Sequence, residues 1–239
     1  MIDYIVSCYF GPRRLLITSN CYKNDKLFFL KAHVEMINKF KSDQIHNVIF
    51  TLNSDDPTDV ELMDEFIKTV KCRVPVKYII QPNIGFSYSA WEKAIIKYID
   101  DPVDHYFLIE DDYVPNIDHF YNYFLSKMNS PYVGYVCELV FENHPAGPNG
   151  IIRADICREI FNEKGVIFDV NRNAKIYHDG ENNQRYYLNF LLDRGYIIKD
   201  IADLAKIERL DNWSRLKTYG NINRFRVTKP LYKLDGIIL

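Results

Sequence analysis

The 239-residue sequence lacks the features that mark several common classes of protein. No apolar run is long enough to cross a bilayer as a helix, and the first ten residues lack the basic start of a signal peptide. The Gly-Lys-Ser/Thr phosphate loop of the Walker-type NTPases is also absent. We therefore expect a cytoplasmic protein, of its own organism or of an infected host cell if the sequence is viral. Transmembrane segments are not expected, whereas peripheral contact with a membrane surface stays possible in this interpretation.

Cysteine is scarce and scattered. The five cysteines are odd in number, form no C-x-x-C pair and lie in or beside apolar runs. This pattern excludes a disulfide framework and a cysteine-rich zinc site, because both need paired or closely spaced thiols. It predicts reduced thiols in or near the core.

The sequence has no excess of charge of either sign. Lys and Arg number 30 against 32 Asp and Glu, which gives a formal net charge of −2. A nucleic-acid backbone is held mainly by a field of basic side chains, so nucleic acid is not expected as a partner. With 47% hydrophobic and 26% charged residues, the composition is that of a globular protein with a full core.

The first half of the chain alternates between apolar strand patterns and helical patterns. Such alternation predicts a mainly parallel sheet with helices on both faces. The predicted strands are residues 3–10, 46–52, 76–80 and 105–109. The predicted helices are residues 26–40, a helix capped by Thr58 or Asp59, and residues 86–99.

Three polar clusters follow predicted strands directly, at residues 53–56, 81–85 and 110–112. In a parallel sheet the carboxyl ends of the strands meet at one edge, where ligands bind. The sequence therefore predicts a binding site along that edge.

The second half of the chain has a less regular pattern. We predict strands at residues 132–141, 166–170 and 196–201, helices at 154–162 and 182–194, and a Pro/Gly/Asn loop at 142–150. Gly195 is a candidate cap for the second of these helices. Residues 206–239 show no clear period and stay unassigned. No linker composition interrupts the chain, so a single domain is expected over residues 1–239.

Three adjacent carboxylates, Glu110, Asp111 and Asp112, follow the apolar run of the fourth strand. Adjacent carboxylates repel one another, so burial near a strand end is unfavourable without a cation. Oxygen ligands suit Mg²⁺ or Mn²⁺, whose remaining positions are filled by water and substrate phosphates. The alternative is a solvated acidic turn.

The segment YFLIEDDYVPNIDHFYNYF, residues 106–124, resembles the metal-binding segment of GT-A glycosyltransferases, with its DXD motif. The resemblance is nearest to the N-acetylglucosaminyltransferase I type. Residues 83–94, NIGFSYSAWEKA, are similar to a signature of family-two glycosyltransferases, although Trp91-Glu92 stands where that family has Arg-Asn. Residues 51–57, TLNSDDP, match its acidic turn. The ordered set covers about the first half of the chain.

The resemblance implies a single GT-A domain, Rossmann-like, in which residues 1–115 form a nucleotide-sugar donor half and 116–239 an acceptor half. It implies that Asp112 coordinates the metal and that Asp111 contacts the donor sugar or a metal-bound water. Glu110 would then lie on the ribose side of the donor.

The same resemblance assigns the other two clusters to the nucleotide. Asp55 or Asp56 would face the base or the ribose. Asn83 and Gly85 would allow the backbone to approach the donor, and the helix N-terminus beyond them would favour its negative charge.

An inverting transferase needs a carboxylate that accepts the proton of the acceptor hydroxyl. Glu181 is the first candidate and Asp179 the second, because both precede a predicted helix, as the acidic catalytic segment does in the similar families. Either residue could instead only cap that helix. His178 is a candidate metal ligand, and the loop at 142–149 a candidate acceptor element. A retaining enzyme would need no such base, and the sequence leaves this open.

The predicted function is transfer of a sugar from a nucleotide-diphosphate donor, with a UDP-sugar expected, to a glycan, lipid-linked or protein acceptor. Mn²⁺ or Mg²⁺ would be the cofactor, and the pathway glycan or polysaccharide biosynthesis. One alternative is a degenerate domain that only binds a glycan or a partner. Another is a sugar-nucleotide nucleotidyltransferase, although residues 9–14 lack the glycines of its phosphate loop.

Overall fold

A computed structural model of the chain describes residues 1–11, 25–115, 117–141, 144–168, 189–201 and 231–233. Seven of the described strands form one sheet, and two short strands form a second. The sheet strands are β1 (Ile2–Cys8), β2 (Ile45–Asn53), β3 (Val76–Gln81), β4 (His105–Glu110), β6 (Val133–Phe141), β7 (His144–Arg153) and β8 (Ile197–Asp200). The short pair is β5 (Tyr113–Pro115) with β9 (Leu231–Lys233).

The described helices surround this sheet. They are α1 (Phe28–Lys39), α2 (Pro57–Thr69), α3 (Phe86–Lys97), α4 (Asn122–Leu125), α5 (Ala154–Lys164) and α6 (Asn189–Asp193). None of the described helices is both long enough and apolar enough to cross a membrane.

The strand order is β3-β2-β1-β4-β7-β6-β8. The first four strands are mutually parallel, β7 is antiparallel to both β4 and β6, and β8 is parallel to β6. This architecture confirms the predicted α/β fold, with a mainly parallel sheet that carries helices on its faces.

Strand β1 shows why the sheet is covered on both faces. All seven of its residues are buried. Tyr4 and Val6 join one hydrophobic cluster, which includes side chains of α1 and α2, whereas Ile5 joins another, which includes side chains of α3. Successive side chains of a strand point to opposite faces, so an apolar run throughout the strand supplies both cores.

The predicted cap of the second helix is wrong. The helix begins at Pro57, with Asp56 as its N-cap residue, rather than with Thr58 or Asp59 in that role. The Asp56 side chain accepts a hydrogen bond from the backbone N–H of Thr58 at 2.9 Å. Proline is favoured at the first helical position because it has no N–H to leave unpaired.

The predicted loop over residues 142–150 is also wrong where the structure describes it, because residues 144–150 belong to β7. Its backbone pairs with β6 and, from Gly150 onward, also with β4. Ladder hydrogen bonds to β6, joined at Gly150 by pairing with β4, outweigh the turn propensity of this Pro/Gly/Asn-rich segment.

The strand predicted at residues 166–170 is wrong over its described part, residues 166–168, which form no strand. The backbone N–H groups of Ile167 and Phe168 donate to the Glu92 carboxylate, at 2.9 and 3.1 Å. A buried side chain therefore takes the donors that a neighbouring strand would otherwise use.

Only residues 189–193 of the helix predicted at 182–194 appear as α6, because residues 182–188 lie outside the described part. Gly195 follows it at a φ of 78°, as a helix-terminating glycine does.

Candidate functional site

The strand order places a crevice between the carboxyl ends of β1 and β4. From β1 the chain continues on one side to β2 and β3, and on the other side β1 pairs with β4. Ligands of open α/β sheets bind where the strand order reverses in this way. The two segments that meet there are Tyr9 to Gly11 after β1 and the carboxylate cluster after β4.

Two of the three carboxylates of this cluster are buried. The exposed fraction is 4% for Asp111 and 8% for Asp112, whereas Glu110 is half-buried. Asp111 Oδ2 accepts a hydrogen bond from the backbone N–H of Tyr9 at 3.1 Å, and its own N–H donates to the Ser7 carbonyl at 3.0 Å. Asp111 is therefore fixed to the segment after β1 across the crevice, and the two buried aspartates do not form a solvated turn.

A buried histidine, His33 of α1, contacts the backbone of the carboxylate cluster. His33 Nε2 lies 2.9 Å from the Asp111 carbonyl oxygen, and Nδ1 lies 2.9 Å from the Tyr4 hydroxyl. Burial lowers the pKa of His33 to about 4, although the Asp111 carbonyl and the Asp112 charge act in the opposite direction. The imidazole is therefore neutral at pH 7. Since a carbonyl only accepts, Nε2 carries the proton and Nδ1 accepts from Tyr4.

Glu110 is held through both its backbone and its side chain. Its N–H donates to Asn149 Oδ1 at 2.7 Å, and its Oε1 accepts from the Ser87 hydroxyl at 3.0 Å. Asn149 in turn donates through Nδ2 to Glu138 Oε2 at 2.9 Å. Strands β4, β6 and β7 and the first turn of α3 thereby meet around Glu110.

The cluster at residues 81–85 lies at the start of α3 in a constrained backbone. Gly85, the N-cap residue of α3, has a φ of 73°, and Phe86 has a φ of 56°. A bulky residue with positive φ is unfavourable, and such strain concentrates at functional sites. The backbone N–H of Asn83 donates to Asp55 Oδ1 at 3.2 Å. The polar clusters at residues 53–56 and 81–85 are thus in direct contact.

Buried polar side chains connect the carboxyl ends of strands β1, β2 and β3. Gln81 Nε2 donates to Asn53 Oδ1 at 2.5 Å, and Asn53 Nδ2 donates to the Ser7 hydroxyl at 3.4 Å. The three residues are at most 7% exposed. Together with the bonds around Glu110, they bring all three predicted clusters to one edge of the sheet.

Asp55 and Asp56 differ in their surroundings. Asp56 caps α2, and hydrogen bonds from the backbone and hydroxyl of Thr58 lower its pKa. Asp55 instead faces Asn83. Of this pair, Asp55 is the residue that the structure connects to the rest of the edge.

The acidic segment of the second half is not described. His178, Asp179 and Glu181 lie outside the described residues. Their predicted roles as metal ligand and base therefore stay predictions.

Sequence reasoning missed Glu138 and Asn149. Glu138 is 3% exposed and Asn149 is fully buried, and together they support the Glu110 backbone. The available signal was the charged residue inside the apolar run of residues 133–141. For Asn149 the turn-like composition around it concealed the strand.

In the described part of the chain, three residues that could together hold a metal ion lie away from the carboxylate cluster. They are Asp3, His46 and Asp101, at the opposite, amino-terminal edge of the sheet. Magnesium and manganese commonly bind through one or two carboxylates and complete their shell with substrate phosphates. The buried pair Asp111 and Asp112 fits that chemistry.

The fold and this edge define an open α/β domain with a mainly parallel sheet and a polar edge at the carboxyl ends of its parallel strands. The chain is similar to a structure from Desulfovibrio desulfuricans described as a nucleotide-diphospho-sugar transferase, with a TM-score of 0.50, 10% identity and coverage of 92% of this chain and 91% of that one. It is also similar to a cytidylyltransferase from Leptospira borgpetersenii, with a TM-score of 0.50, 11% identity and coverage of 83% and 74%.

A mannosyltransferase from Pyrobaculum calidifontis, solved in complex with GDP-Man and Mn²⁺, has a TM-score of 0.47 at 12% identity, covering 83% of this chain and 54% of its own. No protein-family profile matches the chain, and no curated protein matches it. At these identities the similarity establishes the fold alone.

Proposed function

We propose that this protein is a metal-dependent glycosyltransferase that moves a sugar from a nucleotide-diphosphate donor to a hydroxyl acceptor. The observation that carries the proposal is the burial of Asp111 and Asp112 at the carboxyl edge, in the crevice between β1 and β4. Two adjacent buried carboxylates repel each other, and a divalent cation removes that cost. In this proposal Asp112 holds Mn²⁺ or Mg²⁺ and Asp111 contacts the donor sugar or a metal-bound water.

When bound, the metal neutralises the charge that develops on the departing diphosphate. The protein supplies the rest of the donor site. Asp55 and Asn83 face the nucleoside, and Glu110 the ribose. Gly85 lets the backbone come close, and the N-terminus of α3 favours the negative diphosphate. The existing contacts of Asp55 with Asn83, and of Glu110 with Ser87, support this arrangement.

Glu181 is the proposed base for the acceptor hydroxyl, with Asp179 as the second candidate and His178 as a further metal ligand. A base on the acceptor side implies attack from the face opposite the leaving diphosphate, and therefore inversion at the anomeric carbon. A UDP-sugar is the proposed donor, and a glycan, lipid-linked or protein hydroxyl is the proposed acceptor.

A donor-turnover assay tests this function. Purified protein is incubated with UDP-sugars and Mn²⁺, and the released nucleoside diphosphate is measured. We expect slow hydrolysis by the wild type and at least about a 100-fold loss with Glu181→Gln, because general base catalysis contributes on that order. Donor binding should persist in this variant. Glu61→Gln, an exposed change on α2, is the matched control.

The outcomes separate the alternatives. Release of pyrophosphate from a nucleoside triphosphate and a sugar 1-phosphate would identify a nucleotidyltransferase instead. Donor binding without any turnover would favour a glycan- or partner-binding domain. Full activity of Glu181→Gln would remove that residue from the mechanism.

A further inference from the structure

A second group of polar side chains lies at the amino-terminal edge of the sheet, away from the carboxylate cluster. Asp3 near the start of β1, His46 and Asn47 near the start of β2, and Asp101 before β4 face one another. Potential ligand atoms of Asp3, His46 and Asp101 all lie within 4.8 Å of one another.

An irregularity in the sheet creates this convergence. Ile2 pairs with Ile45, but Asp3 pairs with Asn47, so His46 is an extra residue between two pairs. Consecutive residues of a regular strand point to opposite faces, whereas a bulge redirects one of them. The bulge therefore lets both His46 and Asn47 contact the carboxylate of Asp3, at 3.1 and 2.7 Å.

The loop that carries Asp101 is held in place by Arg158 of α5. The Arg158 guanidinium donates to the carbonyl oxygens of Ile99, Asp101 and Val103, at 2.9, 2.7 and 3.1 Å. The position of Asp101 is thus set by a rigid contact with the rest of the domain. Preorganised ligands of this kind favour ion binding.

The side-chain nitrogen of Asn47 lies within hydrogen-bonding distance of three polar side-chain atoms. It is 2.7 Å from Asp3 Oδ1, 2.7 Å from His46 Nδ1 and 3.2 Å from Asp101 Oδ2. An amide nitrogen has only two hydrogens, so it cannot satisfy all three at once. If the amide is turned over, Oδ1 takes this place and becomes a fourth possible ligand atom beside those of Asp3, His46 and Asp101, which lie within 4.8 Å of one another.

Asp3 also carries a buried carboxylate oxygen without a hydrogen-bond partner in the described part of the chain. Its side chain is fully buried, yet Oδ2 has no hydrogen-bond partner among the described residues. Burial raises the pKa of Asp3, although the hydrogen bonds from Asn47 and His46 lower it. An uncompensated buried carboxylate oxygen is costly, and a cation offsets that cost.

We propose that Asp3, His46 and Asp101, with the amide oxygen of Asn47, form a second binding site for a divalent transition-metal ion. The mixed imidazole and carboxylate set suits Zn²⁺ better than Mg²⁺, which prefers oxygen alone. Such an ion would tie the starts of β1 and β2 to the loop before β4. This site is independent of the proposed glycosyltransferase activity.

Lys77 competes with the ion in this arrangement. Its ammonium lies 2.7 Å from Asp101 Oδ2 and 4.4 Å from the centre of the Tyr98 ring. The side chain is 30% exposed, so it can turn to solvent when a metal ion takes its place. Removing the charge at position 77 should therefore strengthen metal binding.

Equilibrium dialysis of the full chain, without an affinity tag or nucleotide, against Zn²⁺ tests the site. We expect one bound equivalent in the wild type and at least a tenfold weaker affinity for His46→Gln and for Asp101→Asn. Lys77→Met should bind Zn²⁺ more tightly than the wild type, because the competing ammonium is gone. Asp112→Ala should retain this equivalent, which separates the site from the proposed donor site.

Far-ultraviolet circular dichroism of each variant confirms that it is folded before dialysis. His46 is chosen because its side chain is 32% exposed, so its replacement opens no cavity in the core. Equal Zn²⁺ affinity in the wild type, His46→Gln and Asp101→Asn would overturn the proposal. So would absence of bound Zn²⁺ in the wild type. Failure of metal-dependent nucleotide binding in the same preparation would count only against the glycosyltransferase.

Discussion

Asn149 and His33 show how single buried residues hold the backbone of the carboxylate cluster in place. Asn149 uses both ends of its amide, accepting from the Glu110 backbone and donating to Glu138. His33 likewise uses both ring nitrogens, one toward Tyr4 and one toward the Asp111 carbonyl. Buried polar groups need such partners because an unpaired one is costly. These four bonds could not be predicted from the sequence, since each joins residues of different strands, helices or turns.

Asn149→Ala should lower the free energy of unfolding by about 1 to 3 kcal/mol. The change removes the acceptor of the Glu110 N–H and the amide donor to a Glu138 carboxylate oxygen. Urea denaturation measures the change. Asn129→Ala, at an exposed position that contacts Lys199, is the control and should change stability by less than about 0.5 kcal/mol. Equal stability of the two variants would contradict the role given to Asn149.

His33 should make folding stability depend on pH in a defined direction. Its pKa is about 4 in the folded protein, against a reference value of 6.5, so the unfolded chain binds more protons between these values. Stability from this residue is therefore complete above about pH 6.5 and is lost as the pH falls toward 4, by about 3 kcal/mol in total.

Measurement of the unfolding free energy from pH 4 to 7 in the wild type and in His33→Gln tests this dependence. Glutamine can still donate to the Asp111 carbonyl and accept from Tyr4 but does not titrate. We expect a shallower pH dependence in the variant. The same slope in both proteins would mean that His33 is not the titrating group.

At the scale of elements, the junction of α3 with β4 and the close pairing of β6 with β7 shape the site. Trp91 Nε1 donates to the Ile109 carbonyl at 3.1 Å, which fixes the end of β4 one residue before Glu110. On the other flank, β7 passes so close to β6 that position 150 requires glycine. A Cβ there would lie 2.3 Å from the Val136 carbonyl oxygen and 2.8 Å from Cys137 Cα.

Gly150→Ala should therefore destabilise the protein by about 1 to 3 kcal/mol, because the clash is with backbone atoms that cannot turn away. Thermal or urea unfolding measures it. Gly165→Asn is the control, since position 165 has a φ of 71° with no atom within 4 Å of where a Cβ would lie, and asparagine tolerates this conformation. A Gly150→Ala protein as stable as the control would show that β6 and β7 can separate without loss.

Some strands and helices could be predicted from the sequence, and others could not. Strands β1 to β4 and the helices between them could be predicted, because each is an uninterrupted apolar run or a helical repeat with a clear turn after it. The segment at 144–150 could not, since its Pro, Gly and Asn residues indicate a turn while long-range pairing makes it a strand. At 166–168 the error came from Glu92, a residue some 75 positions away whose carboxylate binds the backbone of Ile167 and Phe168.

For the whole molecule, the parallel half of the sheet fixes where a donor could bind, and the sequence contained enough information to place its polar clusters on one edge. Ligands of parallel sheets bind at the carboxyl ends of the strands, and placing those ends requires only the order of strands and turns along the chain. The second half of the chain could not be predicted in the same way, because β7 pairs antiparallel with both β4 and β6 although its composition indicates a turn.

The central claim is that the buried aspartates after β4 hold a cation that a nucleotide diphosphate shares. Thermal unfolding with and without UDP, each with and without Mn²⁺, tests it on the wild type, on Asp112→Ala and on Asp100→Ala, an exposed control. At a nucleotide concentration of about 100 times Kd, the account predicts a rise in Tm of roughly 5 to 10 °C that requires both ligands and is absent in Asp112→Ala. A wild type that gains no metal-dependent stability from UDP or any other nucleotide, or an Asp112→Ala variant that gains as much as the wild type, would contradict it.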